Sequence, residues 1–346
     1  MVTIGADLHK RTHTLVATDA VGRELAGCTV KATAEGHAKA LGWARRWDQR
    51  TWALEDCRQV SRRLEADLLR AGERVVRVAP KLTAGSRRSA RTRGKSDPID
   101  ALAVARAALR EPNLPVAQLE GTARDLRLLV DHREDLVAER TRHQNRLRWH
   151  LHELEPGQEP GPRSLDRKCV LDALEVQLAS SPTLVGRIAR ELVARCRELN
   201  ARIKELEREI AGLTRVAAPT LLQLSGCGAL SAAKIVGETA GISRFRSRSA
   251  YAMHTGTAPI PVWSGNRERH RLNRGGNRQL NAALHRIAIT QLRDGGRGRE
   301  YYERRVAAGE TKKAAIRALR RRLSDEVFRR LRIDESGSTT HPSLAA

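Results

Sequence analysis

Four carboxylates in the first third of the chain have the spacing of a cation-binding centre. The run G-K-S-D-P-I-D-A, residues 94–101, sets Asp97 and Asp100 three positions apart, directly after the basic stretch R-R-S-A-R-T-R-G-K. On a helix, positions i and i+3 share a face, with Cβ atoms about 5–6 Å apart. Pro98 suits a first helical turn, and Asp97 just before it is placed to serve as N-cap. Asp7 ends the apolar run V-T-I-G-A-D, and Glu55 closes T-W-A-L-E. In an α/β sheet, strand ends and helix starts converge at one edge, where sites form. Four carboxylates meeting there repel one another unless cations neutralise them, and hard divalent ions such as Mg²⁺ or Mn²⁺ take oxygen ligands. A pair of such ions about 3.5–4 Å apart activates the attacking oxygen and stabilises the leaving one in phosphodiester chemistry. The same residue types also have plainer uses. An Asp at a helix start is commonly a cap, and strand-end acids such as Asp19 and Asp56 are commonly solvated. Spacing alone leaves capping and metal binding both open.

The elements that would position these acids read as a mixed α/β domain over residues 1–120. Runs V-T-I-G-A-D, H-T-L-V-A-T-D and R-E-L-A-G-C-T-V predict three early strands, the last after a turn at Val21-Gly22. A helix over A-E-G-H-A-K-A-L-G-W-A-R-R-W follows, then strand, helix and strand, and a helix from Asp97; the succession predicts a sheet with helices on its faces. Residues 121–215 change character. Leu129, Leu136, Leu147, Leu151 and Leu154 recur at helical spacing, and Ile188, Leu192, Leu199, Ile203, Leu206 and Ile210 form a heptad-like seam. The run E-P-G-Q-E-P-G-P-R-S at 155–164 breaks the helix, so a helical hairpin or coiled-coil arm is expected. Residues 216–332 read as a mainly helical third domain. It opens on Gly226-Cys227-Gly228 leading into a small-residue helix, a helix-hairpin-helix-like element whose amides are placed to approach a phosphate. Residues 333–346 read as a disordered tail.

Charge narrows the partners. The 346 residues carry 64 Lys+Arg against 40 Asp+Glu, a formal charge of +24. A positive field of this size is the footprint of a polyanion, with nucleic acid the usual one. Aromatic residues make up only 3% of the chain, too few for base-stacking platforms, so recognition through duplex backbone and shape is expected. Basic candidates for that contact are Arg87, Arg88, Arg91, Arg93 and Lys95 before the paired acids. Arg140, Arg142, Arg146 and Arg148 form a second group, and Arg267, Arg269, Arg271, Arg274 and Arg278 a third; Gly226 and Gly228 mark the backbone contact. Five scattered cysteines with no C-x-x-C pair exclude a zinc knuckle or disulfide framework and predict a reducing compartment. The chain opens without an apolar signal region, and no run approaches transmembrane length; a cytoplasmic protein with no membrane partner is expected.

Taken in order, G-A-D-L-H-K, A-L-E-D-C and K-S-D-P-I-D-A-L-A-V-A-R-A resemble the DEDD transposases of bacterial insertion sequences. L-S-G-C-G-A-L-S-A-A-K-I-V-G-E, F-R-S-R-S-A-Y-A-M-H-T-G-T-A-P and S-G-N-R-E-R-H-R-L-N-R-G-G-N-R-Q-L-N extend the resemblance to about residue 330. It implies a RuvC-like, RNase H-type N-terminal domain whose metal-binding acids are Asp7, Glu55, Asp97 and Asp100. Asp56, beside Glu55, is not carried over. It also implies a nucleophilic serine, Ser264, in the C-terminal domain, with the neighbouring arginines holding the phosphate. Acidic site and serine are then expected to meet between protomers of a dimer assembling to a tetramer. Double-stranded donor and target DNA, a structured bridge RNA pairing with both, and association with the nucleoid are implied in the same way. The chain departs from the family pattern at Thr257, usually a larger apolar residue, and at Asn281, where a basic residue is common. Two other readings fit the residues alone. One is a metal-dependent nuclease or junction resolvase that hydrolyses DNA with the four acids; the other is a non-catalytic nucleic-acid-binding protein whose acids cap helices.

Overall fold

The computed structural model describes residues 1–338 apart from 56–59, 89–95, 112–113, 115, 118–120, 158, 162, 266 and 272; of Lys81, Arg87, Arg88, Ser264, 267–269 and Ser338 only the backbone is described. The chain divides into two compact units, Met1–Leu119 and Glu120–Ala346.

The first unit is a five-stranded sheet with helices on both faces. Its strands are β1 (Val2–Leu8), β2 (Thr12–Thr18), β3 (Glu24–Lys31), β4 (Arg50–Glu55) and β5 (Val75–Val78), and its helices are α1 (Ala34–Ala44), α2 (Arg62–Arg70), α3 (Pro80–Arg88) and α4 (Asp97–Arg110). The spatial order is β3-β2-β1-β4-β5. β2 runs against both neighbours, while β4 lies parallel to β1 and β5 to β4. This is the RNase H-type arrangement that the sequence resemblance implies. Side chains alternate along a strand, so each strand serves two faces. Ile4, Ala6, Leu8, Trp52 and Leu54 point to the face where Ala40, Ala44, Leu64 and Leu68 of α1 and α2 close a core. Ala53, Val76 and Val78 point the other way, against Val104 and Ala107 of α4. Asp7 and Glu55 fall in register with this second set, on the α4 side of the sheet.

Close approach of α4 rests on small residues. A Cβ on Gly5 would lie 2.2 Å from the Ala101 carbonyl oxygen and 2.5 Å from the Ala105 amide nitrogen. The helix therefore lies directly on β1, with its first turn over the end of that strand. Two local expectations change. Ser96, in extended conformation, is the residue before α4, and Asp97 is its first helical residue, so Asp97 is not the N-cap. The sequence reading also ran from β5 into the basic stretch without a helix, whereas Pro80–Arg88 forms α3. Pro80 suits its first turn, and Thr83 and Ser86 are buried against the fold. Buried small polar side chains left no apolar periodicity to read.

The second unit is helical apart from one hairpin. Its helices are α5 (Thr122–Leu154), α6 (Lys168–Ala179), α7 (Leu184–Ala217), α8 (Pro219–Leu222), α9 (Ala229–Thr239), α10 (Arg248–His254), α11 (Arg278–Asp294), α12 (Arg297–Ala307) and α13 (Lys312–Ser338); β6 (Ile260–Ser264) and β7 (Arg267–Arg271) pair antiparallel. α5 and α7 run antiparallel. Arg133 donates to Glu207, Arg140 to Asn200 and Arg195 to Glu139, at 2.9, 2.8 and 3.0 Å. Of the seam expected on α7, Leu192, Leu199, Ile203, Leu206 and Ile210 are buried and Ile188 is half-buried. On α5 only the ends are buried, at Leu126, Val130, Leu147 and Leu151, and the middle meets α7 through these polar bonds. Ends of the pair join other cores. Leu147 and Leu151 pack with α6, and Leu126 and Val130 pack beside Ala233 of α9. A separate core of Leu221, Ile235, Tyr251, Leu284, Ile287 and Val327 holds the later helices together. α13 continues past residue 332, because Asp334 is buried and accepts hydrogen bonds from Thr220 N and Leu221 N at 2.9 and 3.2 Å, capping α8. Residues 339–346 of the expected tail lie outside the described residues.

Candidate active site

β1 and β4 are the central parallel pair, and their register sets the first two acids side by side. Ala6 stands opposite Leu54, so the next residues, Asp7 and Glu55, lie side by side near the same end of neighbouring strands, on one face. Asp97 and Asp100 occupy the first turn of α4, which Gly5 admits onto that face. His9, just past β1, ties the group together. Its Nε2 lies 3.0 Å from Asp7 Oδ2 and 3.6 Å from Asp97 Oδ1. One ligand atom from each of Asp7, His9 and Asp97 falls within 4.8 Å of the others, the one such group among the described residues. Asp100 is close enough for its charge to act on Asp7, and Glu55 ends the neighbouring strand.

Electrostatics at Asp7 are those of an incompletely neutralised site. Burial raises its carboxyl above the usual carboxylate range; His9 pulls it back, and the negative charges of Asp100 and Asp97 push it up again. Ionising Asp7 at neutral pH therefore costs folded-state free energy, and a bound cation would offset that cost. The donors fit such an ion. Carboxylate oxygens suit Mg²⁺ and Mn²⁺, and the imidazole adds one softer donor. Sequence reasoning missed His9. The signal was present as D-x-H at a strand end, where alternation returns residue i+2 to the same side.

Ser264 lies in the second unit, as the last residue of β6, paired with Arg267 across a two-residue loop. Gly265 in that loop has φ +58°, the left-handed conformation that tight hairpins require. The serine thus sits at the tip of a short ribbon. Its side chain, and those of Arg267 and Arg269, lie outside the described residues; Arg271, Arg274 and Arg278 are exposed.

The remaining basic candidates separate. Arg91, Arg93 and Lys95 lie outside the described residues, as does Asp56, and the side chains of Arg87 and Arg88 are not described. Arg142 and Arg146 are exposed on α5. Arg140 instead bonds Asn200 and faces Asp166, and Arg148 donates to the carbonyls of Pro160 and Gly161. Gly226 has φ +78°, and a Cβ there would press on the Ile287 carbonyl at 3.0 Å, so packing on α11 already requires this glycine. Gly228, the residue before α9, faces open space, and a Cβ added there would meet nothing within 4 Å.

A five-stranded mixed sheet in this order, with acids at the ends of its central strands and on the helix across them, defines an RNase H-type domain with an acidic site. A DEDD-type profile described as Transposase matches residues 4–156, and a profile described as Transposase IS116/IS110/IS902 family matches residues 218–303. The chain belongs to the IS110 family of DEDD transposases. It is 28% identical to the uncharacterized 44.8 kDa protein of insertion element IS116 from Streptomyces clavuligerus, covering 96% of this chain and 94% of that protein. With the uncharacterized 42 kDa protein of IS900 from Mycobacterium paratuberculosis it shares 27% identity over 82% of each. Two Thermus thermophilus RuvC structures, one in complex with a Holliday junction substrate, match at 17% and 19% identity. Their TM-scores are 0.27 and 0.28, and the matches cover 34% of this chain and 99% and 100% of theirs. Among the described residues, no helix is long and apolar enough to cross a membrane.

Proposed function

We propose that this transposase exchanges DNA strands through a covalent intermediate on Ser264, with Asp7, Glu55, Asp97 and Asp100 serving as a divalent-metal site. The observation that carries the reading is the gathering of these four acids on one edge of the sheet, with Asp7 half-buried against its like-charged neighbours. A divalent cation bound there, Mg²⁺ or Mn²⁺, supplies Lewis-acid stabilisation of phosphate oxygens. The Ser264 hydroxyl attacks the phosphorus, the phosphodiester P–O bond breaks, and the serine proton ends on the departing strand hydroxyl. The phosphoserine ester keeps the bond energy, so a second strand's hydroxyl can displace the serine and rejoin the backbone. Exposed Arg271 would hold the phosphate and its developing charge, with Arg267 and Arg269 beside Ser264.

The family resemblance supports the rest of this reading. Residues 1–120 form the RuvC-like catalytic domain, 121–215 a coiled-coil arm and 216–332 the serine-bearing domain. The assembly is a dimer that pairs into a tetramer, working at the nucleoid. Sequence choice is left to a bridge RNA that pairs with donor and target DNA, which a chain of charge +24 with few aromatic side chains is suited to hold. Two measurements test the metal site apart from the serine. Mn²⁺ at 100 times its Kd stabilises the folded chain by about 2.7 kcal/mol, and Asp97→Asn with Asp100→Asn removes this gain. Strand exchange is expected to vanish in both Asp97→Asn and Ser264→Ala. Full strand exchange in Ser264→Ala would overturn the covalent route, and metal-dependent hydrolysis by that variant would favour a simple nuclease.

A further inference from the structure

The second unit holds a basic pocket apart from the Ser264 ribbon. It is a cavity of about 350 Å³ between the start of α11, the loop before it and α13, lined by Arg274, Arg278, Asn281, His285 and Arg320 among others. That volume is at the small end for a ligand site. No lining residue is acidic, and among the described residues none of the three arginines has a carboxylate partner.

Its walls are fixed. Gly256 has φ +70°, and a Cβ on Gly276 would lie 2.2 Å from the Gly256 amide nitrogen, so the two backbones are in direct contact. Asn277 N donates to the His254 carbonyl at 2.6 Å, and Asn273 Nδ2 to the Met253 carbonyl at 3.1 Å. Asn281 Nδ2 donates to the carbonyls of Thr255 and Gly256, leaving Oδ1 to accept from Arg320 Nη1 at 2.8 Å. Arg320 is thereby drawn in from α13, yet its buried Nε has no hydrogen-bond partner. The first amides of α11 are already used: Asn277 Oδ1 accepts from Gln279 N and Leu280 N. Anion-binding capacity is therefore in the side chains rather than the helix terminus.

Like charge has been concentrated here without compensation. Burial lowers the proton affinity of Arg320, and Arg317 adds to the effect. Burial, then the charge of Arg320, lowers that of His285. A desolvated guanidinium with an unmade hydrogen bond is costly to keep. An anion with several acceptor oxygens offsets the concentrated positive charge, and the planar guanidinium matches phosphate geometry.

We infer that this pocket binds a backbone phosphate of a nucleic-acid strand, with Arg320, Arg274 and Arg278 as donors, Asn281 as the residue that positions Arg320, and His285 on the wall. Because Asn273 and Arg274 follow β7 closely, the pocket anchors a strand beside the ribbon that carries Ser264. That last role rests on the function proposed above; phosphate binding itself does not.

The test is a titration of the full chain with inorganic phosphate, followed through the imidazole proton resonances of His285, which are assigned by their loss in His285→Gln. A saturable shift is expected in the wild type and in Ser264→Ala, and its loss in Arg320→Gln. Should Arg320→Gln fail to fold, the exposed pair Arg274→Gln/Arg278→Gln decides, with the shift again lost. In that double variant, the slope of log affinity against log salt for random duplex DNA is expected to fall by about one, as for one lost phosphate contact. Duplex DNA and RNA of equal length are then added as competitors, and the one that displaces phosphate identifies the strand. No saturable shift, a shift unchanged in the double variant, or displacement by neither polymer overturns the inference. A failed titration alongside a Ser264 adduct would reject the pocket and leave the strand-exchange reading standing; binding without an adduct would do the reverse.

Discussion

Replacing Gly5 with alanine tests how the acidic site is assembled, because Gly5 touches none of the acids. The added Cβ would lie 2.2 Å from the Ala101 carbonyl oxygen, 2.5 Å from the Ala105 amide nitrogen and 2.8 Å from the Ala105 Cβ, where ordinary contact begins at 3.4 Å. Backbone is the obstacle in two of these contacts, so no rotamer change relieves them. The helix α4 must retreat from β1 by about 1.2 Å, taking Asp97 and Asp100 away from Asp7. Overpacking of this kind costs roughly 1–3 kcal/mol or more. A misplacement of ~1 Å in a catalytic constellation costs on the order of 100-fold in rate. The assay is thermal unfolding with and without Mn²⁺, paired with strand cleavage on a supercoiled plasmid. Gly5→Ala is expected to lower the melting temperature, to lose most of the Mn²⁺ stabilisation and to cleave about 100-fold more slowly. Gly42→Ala is the control. It lies within α1 with nothing within 4 Å of a new Cβ, and it should stabilise by roughly 0.5–1 kcal/mol. A Gly5→Ala protein with wild-type stability and an unchanged response to Mn²⁺ would refute the reasoning.

Other expectations concern the scaffold. Arg77 and Glu65 form a buried bidentate pair, 2.8 Å at each contact and 7% and 5% exposed. Glu65→Gln removes the negative charge that faces the buried Arg77 guanidinium in this pair and should cost about 3–5 kcal/mol in urea unfolding; breaking the exposed Arg202–Glu205 pair should cost under ~1 kcal/mol. Equal losses would show that burial is not what matters. His13 is buried and stacked on His37, and burial, then the neighbouring His37 charge, lowers its pKa to about 4. A depressed histidine binds fewer protons folded than unfolded, so its contribution is intact above pH ~6.5 and is lost as pH falls towards ~4, by up to ~3 kcal/mol. The melting temperature should accordingly fall between pH 7 and 5, and fall less in His13→Leu; equal slopes for the two proteins would remove His13 as the cause.

Much of the sheet was legible because β1, β2, β4 and β5 are short, mostly apolar runs bounded by polar and turn residues; Asp7 is the next-to-last residue of β1 and Glu55 the last of β4. What α4 does with its acids was less visible. Gly5, Ala101 and Ala105 set the distance between helix and strand, and only the fold reveals that they meet. Ser96 takes the position before the helix that spacing had given to Asp97, since Pro98 is tolerated equally at either of the first two helical positions. His9 went unread because D-x-H at a strand end gains meaning only once α4 brings Asp97 beside it. The ribbon around Ser264 had left a mark in the Gly265-Asn266 pair between two short runs, a known hairpin signal. On α5, apolar spacing suggested a continuous seam, yet Arg133 and Arg140 bond across to α7 through its middle. Polar contacts between helices obey no sequence period. The basic pocket joins Asn281 to Arg320 from separate helices, a pairing that only tertiary structure creates.

The central claim is that Ser264 becomes covalently joined to DNA. It is tested most directly by incubating the protein, with any RNA that copurifies with it, Mn²⁺ and a nicked DNA substrate that traps the intermediate, then digesting and mapping the adduct by mass spectrometry. Strand exchange through the serine predicts one nucleotide-modified peptide, with the phosphoryl group on Ser264, absent from Ser264→Ala and from Asp97→Asn. Cleaved DNA with no protein-linked product, or an adduct that persists in Ser264→Ala, would contradict it.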